Sequence, residues 1–203
     1  MSTITSSISE IINKSLEKTM SYEDYRKLVS DLIELGLSTG NDPKNPDLLK
    51  FSKLNDRRMK RLDKTIKIQP ASAEKIQAKT KKELWIVLTE SWCGDAAQSI
   101  PVINKLAELN ENIDFRIALR DENEALMNEF LTNGGKSIPK LIIIDPETNE
   151  VLNSWGPRPT EATQMVIDFK TEHGKLTPEF KEALQLWYTK NKGYDVANDI
   201  ANL

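Results

Sequence analysis

The sequence predicts an α/β fold in which a mixed central sheet carries added helices at its N-terminal and C-terminal sides. Three observations predict it. Leu84-Trp-Ile-Val-Leu-Thr89 is a nearly unbroken apolar run, the pattern of a central strand buried on both faces. Strand-like and helix-like segments alternate after it and close in a hairpin pattern, which joins a parallel part to an antiparallel edge. Both flanks lack strand patterns and carry helical periodicity instead.

Taken in order, residues 1–70 read as a helical extension packed on the core. Ser21 is placed as an N-cap with Asp24 in the capping-box position and Met20 against Tyr25 as a hydrophobic staple. Tyr25, Leu28, Val29, Leu32 and Leu35 follow at helical spacing until Gly36 and Gly40 let the chain turn. Asn45-Pro46 is a cap and first-turn pair for a second helix. Along it Leu48, Phe51, Met59, Leu62 and Ile66 fall within an arc of roughly 80° at about 100° per residue. Asn55 lies inside that arc, where a packing hydrogen bond is its expected role.

Residues 71–170 form the α/β domain. After the strand at Leu84–Thr89, a helix is marked by Ala97, Ile100, Ile103, Leu106 and Ala107, and a strand by Ile113–Leu119. A short helix from Glu124 to Leu131 ends at Asn133-Gly-Gly135. Lys140–Ile144, a turn at Asp145–Asn149 and Glu150–Trp155 read as a hairpin. From Pro159 onward the pattern is helical again, and residues 171–203 form a C-terminal helical extension. In it Thr177-Pro178 starts a helix through Leu184, Trp187 and Tyr188 that closes at Gly193, and the last ten residues form a final helix.

Composition narrows the function classes. Charged residues make up 29% and hydrophobic ones 38% of 203 residues, ordinary for a globular chain. A net charge of -3 disfavours a dedicated nucleic-acid binder. No apolar run approaches the roughly 18 residues of a membrane span, and the N-terminus shows no leader-like apolar stretch. One cysteine cannot form an internal disulfide, so the expected compartment is the cytoplasm. No cofactor is implied. One Cys and one His (His173) supply neither a zinc set nor, at their separation, a Cys–His nucleophile pair. Between Lys44 and Lys82 thirteen basic residues face four acids, a segment read as a solvated helix face or a footprint for an anionic partner.

Chemistry centres on Cys93, just after the central strand and at a helix start. Unpaired N–H groups and the helix dipole there favour a thiolate. Asp95, two residues on, opposes it or caps the helix. The stretch Trp92-Cys93-Gly94-Asp95-Ala96 resembles the Trp-Cys-Gly-Pro-Cys site of the thioredoxin family. Pro101, eight residues past Cys93, is similar to the proline that kinks that family's active-site helix. Ile138-Pro139 before an apolar strand resembles its cis-proline segment, and Gly156 follows the last strand in the family's order.

Over about residues 70–170 the resemblance implies a thioredoxin-like three-layer sandwich. It also implies that Cys93 faces Pro139, that Ile138 pairs its backbone with an extended client, and that Trp92, Gly94 and Asp95 shape the contact surface. More narrowly, the chain resembles a bacterial thioredoxin-like group with a Glu-Ser-Trp-Cys-Gly-Asp-Ala site and an extra helical N-terminal segment.

The departures matter as much. Ala96 stands where the resolving cysteine would be, and Val87 where dithiol members carry a buried acid. Exchange needs two sulfurs, one to attack and one to release, so an external thiol must complete any turnover. Arg158 after the last strand is expected as a solvated loop residue rather than part of the site rim. Two readings follow, with a disulfide-linked dimer through Cys93 as a third. One is single-thiol exchange at Cys93 with a protein or low-molecular-weight thiol or disulfide, which requires a depressed thiol pKa. The other is a binding module that keeps the fold without turnover.

Overall fold

The computed structural model describes residues 7–203; the first six, on which part of the leader reading falls, lie outside the described residues. Four helices precede the sheet: α1 (Ile8–Leu16), α2 (Tyr22–Glu34), α3 (Pro46–Thr65) and α4 (Pro70–Gln77). Each of the first three starts on a side-chain cap. Ser7 and Glu10 form a reciprocal capping box, Ser21 accepts from the Asp24 N–H, and Asn45 accepts from the Asp47 and Leu48 N–H groups. Each such cap stabilises its helix by about 1 kcal/mol.

The sheet contains β1 (Glu83–Thr89), β2 (Ile113–Leu119), β3 (Lys140–Ile144) and β4 (Val151–Trp155) in the order β2-β1-β3-β4. β1 and β2 are parallel, while β3 is antiparallel to both β1 and β4. Helix α5 (Gly94–Ala107) makes the crossover between β1 and β2, and α6 (Glu124–Glu129) follows β2. The chain ends in α7 (Thr160–His173), α8 (Pro178–Asn191) and α9 (Tyr194–Ala201). Every residue of β1 and of β3 is buried, so helices cover both faces of the sheet, as the unbroken apolar run requires.

One core unites the sheet with both flanks. It contains Ile12, Tyr25, Val29 and Met59 from the N-terminal helices and Val196, Ala197 and Ile200 from α9. Fully buried Trp85 donates its indole N–H to Glu83 at 2.8 Å, so no polar atom is stranded. A smaller apolar cluster stands apart: Ala162 and Val166 of α7 against Leu184 and Tyr188 of α8.

The N-terminal helices are tied in by polar bonds as well. Met20 exchanges two 2.9 Å backbone bonds with Ile117, adding a short antiparallel bridge at the outer edge of β2. Arg26 of α2 pairs with Asp56 at 3.0 Å and Asp63 at 3.5 Å on α3. The buried face of α3 is therefore rotated from the one its leucines predict. Ser52, Asn55, Asp56, Met59 and Leu62 are buried, while Phe51 is 48% exposed. The reason is that α3 meets polar partners, Arg26 on one side and the loop before Cys93 on the other.

Candidate functional site around Cys93

Cys93 is the N-cap residue of α5, with φ -80° and ψ 114° and no side-chain capping bond of its own. The loop before it is clamped by the N-terminal helices. Ser91 N–H donates to Thr39 Oγ1 at 2.8 Å, Ser91 Oγ lies 2.7 Å from Ser52 Oγ, and Asn55 Nδ2 donates to the Ser91 carbonyl at 2.9 Å. Asn55 is thus the packing hydrogen bond its position suggests, and it orients the loop before Cys93. Arg58 donates to Asn55 Oδ1 at 2.9 Å from the next turn of α3.

Glu90 and Trp92 complete this loop. Glu90 Oε1 accepts from the Asp121 N–H at 3.0 Å, and burial raises its pKa. Arg120 lies over the Trp92 ring, 5.0 Å from its centroid, and pairs with Asp121 at 2.7 Å. Gly40 (φ 94°) packs so closely that an added Cβ would stand 2.9 Å from Asp121 Oδ2 and 3.3 Å from Trp92 Nε1. A side chain there would collide with Asp121 and press on the Trp92 ring.

The predicted site residues converge. Cys93 Sγ donates to the Ile138 carbonyl at 3.2 Å, and the Ile138–Pro139 peptide is cis. Gly156 seals the far side of that peptide: with φ 114°, an added Cβ would meet the Pro139 carbonyl oxygen at 2.2 Å. Trp92 and Gly94 remain partly exposed, whereas Cys93, Asp95, Ile138 and Pro139 are buried.

Arg158 is not the solvated loop residue its sequence context suggests. Its guanidinium pairs with Asp95 at 2.7 Å, and the two side chains are only 25% and 11% exposed. Asp95 occupies the first turn of α5, but its carboxylate is spent on Arg158 rather than on capping. Burial raises the Asp95 pKa, against the pull of Arg158. Asp95 and the Tyr188 hydroxyl are both buried and face each other: the contact pulls the Asp95 carboxyl down, while burial first and then the Asp95 charge raise the phenol.

The thiol itself is pushed up to about 12, first by burial and then by the Asp95 charge. The Ala96 and Asp95 N–H groups and Arg158 pull the other way and lose. The Sγ–H bond to Ile138 acts in the same sense as burial, since only the protonated sulfur can make it. The depressed pKa that an exchange thiol requires is absent from this geometry.

Helix α8, together with Arg58 of α3, covers the Gly94 side of the site, a contribution the sequence did not flag. Gln185 Oε1 accepts from Gln98 Nε2 of α5 at 3.0 Å, and Gln185 Nε2 sits only 3.1 Å from where a Cβ on Gly94 would be. Tyr188, one turn on, reads in sequence as a core residue at helical spacing. Clefts of about 620 and 600 Å³ lie elsewhere, and one of about 550 Å³ passes Lys140, Gly156 and Arg158 without reaching Cys93. His173 meets the Phe169 ring at a tilt, with centroids 4.2 Å apart, at the end of α7. Among the described residues no three metal-ligating side chains converge, and no helix is long and apolar enough to cross a membrane. On α3 the acids Asp56 and Asp63 turn to Arg26, leaving Lys50, Lys53, Arg57, Arg61 and Lys64 exposed.

Comparisons with known proteins place this geometry. No curated protein matches the chain. Two solved structures resemble it in fold. A protein of unknown function from Pseudomonas aeruginosa has a TM-score of 0.53 at 17% identity, over 75% of this chain and 82% of that one. An HIV 4E10 epitope scaffold has a TM-score of 0.54 at 18% identity, over 90% of this chain and 96% of that one. Identities this low speak for architecture alone. A family model described as thioredoxin (Thioredoxin_9) matches residues 43–171, well over half of the chain, and takes in the Cys93 loop, Pro139 and the whole sheet. The chain therefore belongs to that thioredoxin family.

Proposed function

We propose that the protein works as a thioredoxin-fold binding module, with Cys93 held as a protonated thiol rather than as a turnover catalyst. The observation that carries this reading is the buried thiol, pushed up to about 12 and bonded to Ile138. Against an ordinary value of 9.0, that shift leaves about a thousandfold less thiolate at neutral pH. Exchange proceeds through the thiolate, so the loss falls directly on the attacking step. The releasing step has no sulfur either, because Ala96 stands where a second cysteine would be. A disulfide-linked dimer is disfavoured by the same burial.

A second reading, single-thiol exchange completed by an external thiol, is favoured by one specific feature. Sγ lies 3.2 Å from the carbonyl of the residue before Pro139, where an extended segment would pair. The working face is the same in both readings: Trp92, Gly94, Asp95, Ile138 and Pro139 around Cys93. The test is reduction of hydroxyethyl disulfide with glutathione as reductant, comparing the native protein with Cys93→Ser. Equal rates are expected. A native rate ten times that of the variant would overturn the binding reading in favour of exchange.

A further inference from the structure

We propose that α8 is an internal occupant of the Cys93 face, a strap that a polypeptide client must displace to reach the thiol. This inference rests on the reading that the Cys93 face is the working face, and holds whether that face binds or exchanges.

Three features of α8 carry it. First, α8 lies on the site itself. Gln185 packs over Gly94 and is bonded to Gln98, while Tyr188 stands against Asp95 and Cys93. Gly94 has no side chain to fill the space that Gln185 takes, so the carboxamide sits where a client's side chain or backbone would enter.

Second, α8 is weakly anchored. Its buried side chains are Leu184 and Tyr188, and these join the small cluster with Ala162 and Val166 rather than the main core. Helix α9, which follows, is held differently: it places Val196, Ala197 and Ile200 in the main core. The other ties of α8 to the site are few: the Gln185–Gln98 amide bond and the buried Tyr188 phenol against Asp95. Segments with few buried apolar contacts open locally before the fold as a whole.

Third, the chain bends at both ends of α8. Gly174 (φ 77°) lies between α7 and α8, and Lys192 (φ 55°) with Gly193 (φ 80°) lies between α8 and α9. Gly193 packs close to α5, where an added Cβ would meet Val102 at 2.5 Å. The C-terminal joint is therefore pinned, and α8 swings from a fixed point. The strip it uncovers joins an amide side chain (Gln98) and a bare glycine (Gly94) beside the Cys93 thiol, which suits a polypeptide rather than a compact small molecule.

Cys93 is the only cysteine, so its alkylation reports uncovering without ambiguity. In the full chain, iodoacetamide labelling at pH 8 is compared among the native protein, Leu184→Ala and Gln185→Ala, with hydrogen exchange followed in α8 and in β1 and β3. Labelling at least tenfold faster in both variants, with sheet protection unchanged, is the expected result. In the native protein α8 amides are expected to exchange faster than those of α9. Rates within twofold of native in Gln185→Ala, or acceleration only alongside loss of sheet protection, would overturn the strap. So would α8 amides as protected as β1. The disulfide-reduction assay of Cys93→Ser is indifferent to this outcome, so the failure of one reading is told from the failure of the other.

Discussion

Removing Arg158 tests whether the Asp95–Arg158 pair holds the site together. Arg158→Met keeps much of the aliphatic packing and leaves a carboxylate that is 11% exposed without its 2.7 Å partner. Breaking a buried pair from one side costs about 3–5 kcal/mol. Arg158 itself is 25% exposed, so water softens the loss and we expect about 2–3 kcal/mol. With a urea slope of about 2 kcal/mol/M, that is a midpoint about 1 M lower. Asp95→Asn with Arg158→Met removes both charges and should recover most of the loss, giving a coupling of about 2 kcal/mol.

The sign with pH is set by Asp95. Its folded pKa is raised, so the folded state favours the protonated carboxyl, and stability tied to it is lost as pH rises through the folded pKa. Without Arg158 the folded pKa rises further. The deficit of Arg158→Met should then be full at pH 7.5 and shrink toward pH 4. Circular dichroism through urea titrations at both pH values reads this out. Single and double variants that agree within about 0.5 kcal/mol would refute the reasoning, as would a deficit that does not change with pH.

Other expected outcomes follow from the same geometry. The native protein should lose stability relative to Cys93→Ala by about 1 kcal/mol per pH unit between about pH 9 and 11, because the folded thiol, at about 12, keeps a proton that the unfolded one releases; a constant difference across that range in chemical denaturation would count against a buried thiol. Gly156→Ala should fail to give soluble folded protein or lose about 4 kcal/mol or more, since its Cβ would lie 2.2 Å from the Pro139 oxygen at φ 114°; expression and thermal melting check it. Asn55→Ala should cost about 1–3 kcal/mol by leaving the buried Ser91 carbonyl unpaired, and an unchanged urea midpoint would show that α3 does not brace the loop.

Much of the fold was legible because its signals are local. Ser21, Asn45 and Thr177 cap helices where their side chains can reach the first free N–H groups, and β1 reads as a buried strand because Leu84 to Leu88 are apolar without a break. The meeting of Cys93 with Ile138 was legible only by resemblance, since 45 residues separate them. Phe51 misled for a physical reason: helical spacing reports an apolar face, but α3 turns its polar Ser52 and Asn55 toward Ser91 instead. The Met20–Ile117 bridge left no pattern at all, being a single pair of backbone bonds.

By itself the sequence determined the order of helices and strands, the single sulfur and the lack of a resolving partner, because these follow from residue identity and short-range periodicity. Only the tertiary structure decided the state of that sulfur. A helix start favours the thiolate, but the balance is set by what lies across space: the Ile138 carbonyl, the Asp95–Arg158 pair, and Tyr188 and Gln185 of a helix some 90 residues downstream. Burial is a sum over all such neighbours, and no stretch of local sequence contains it.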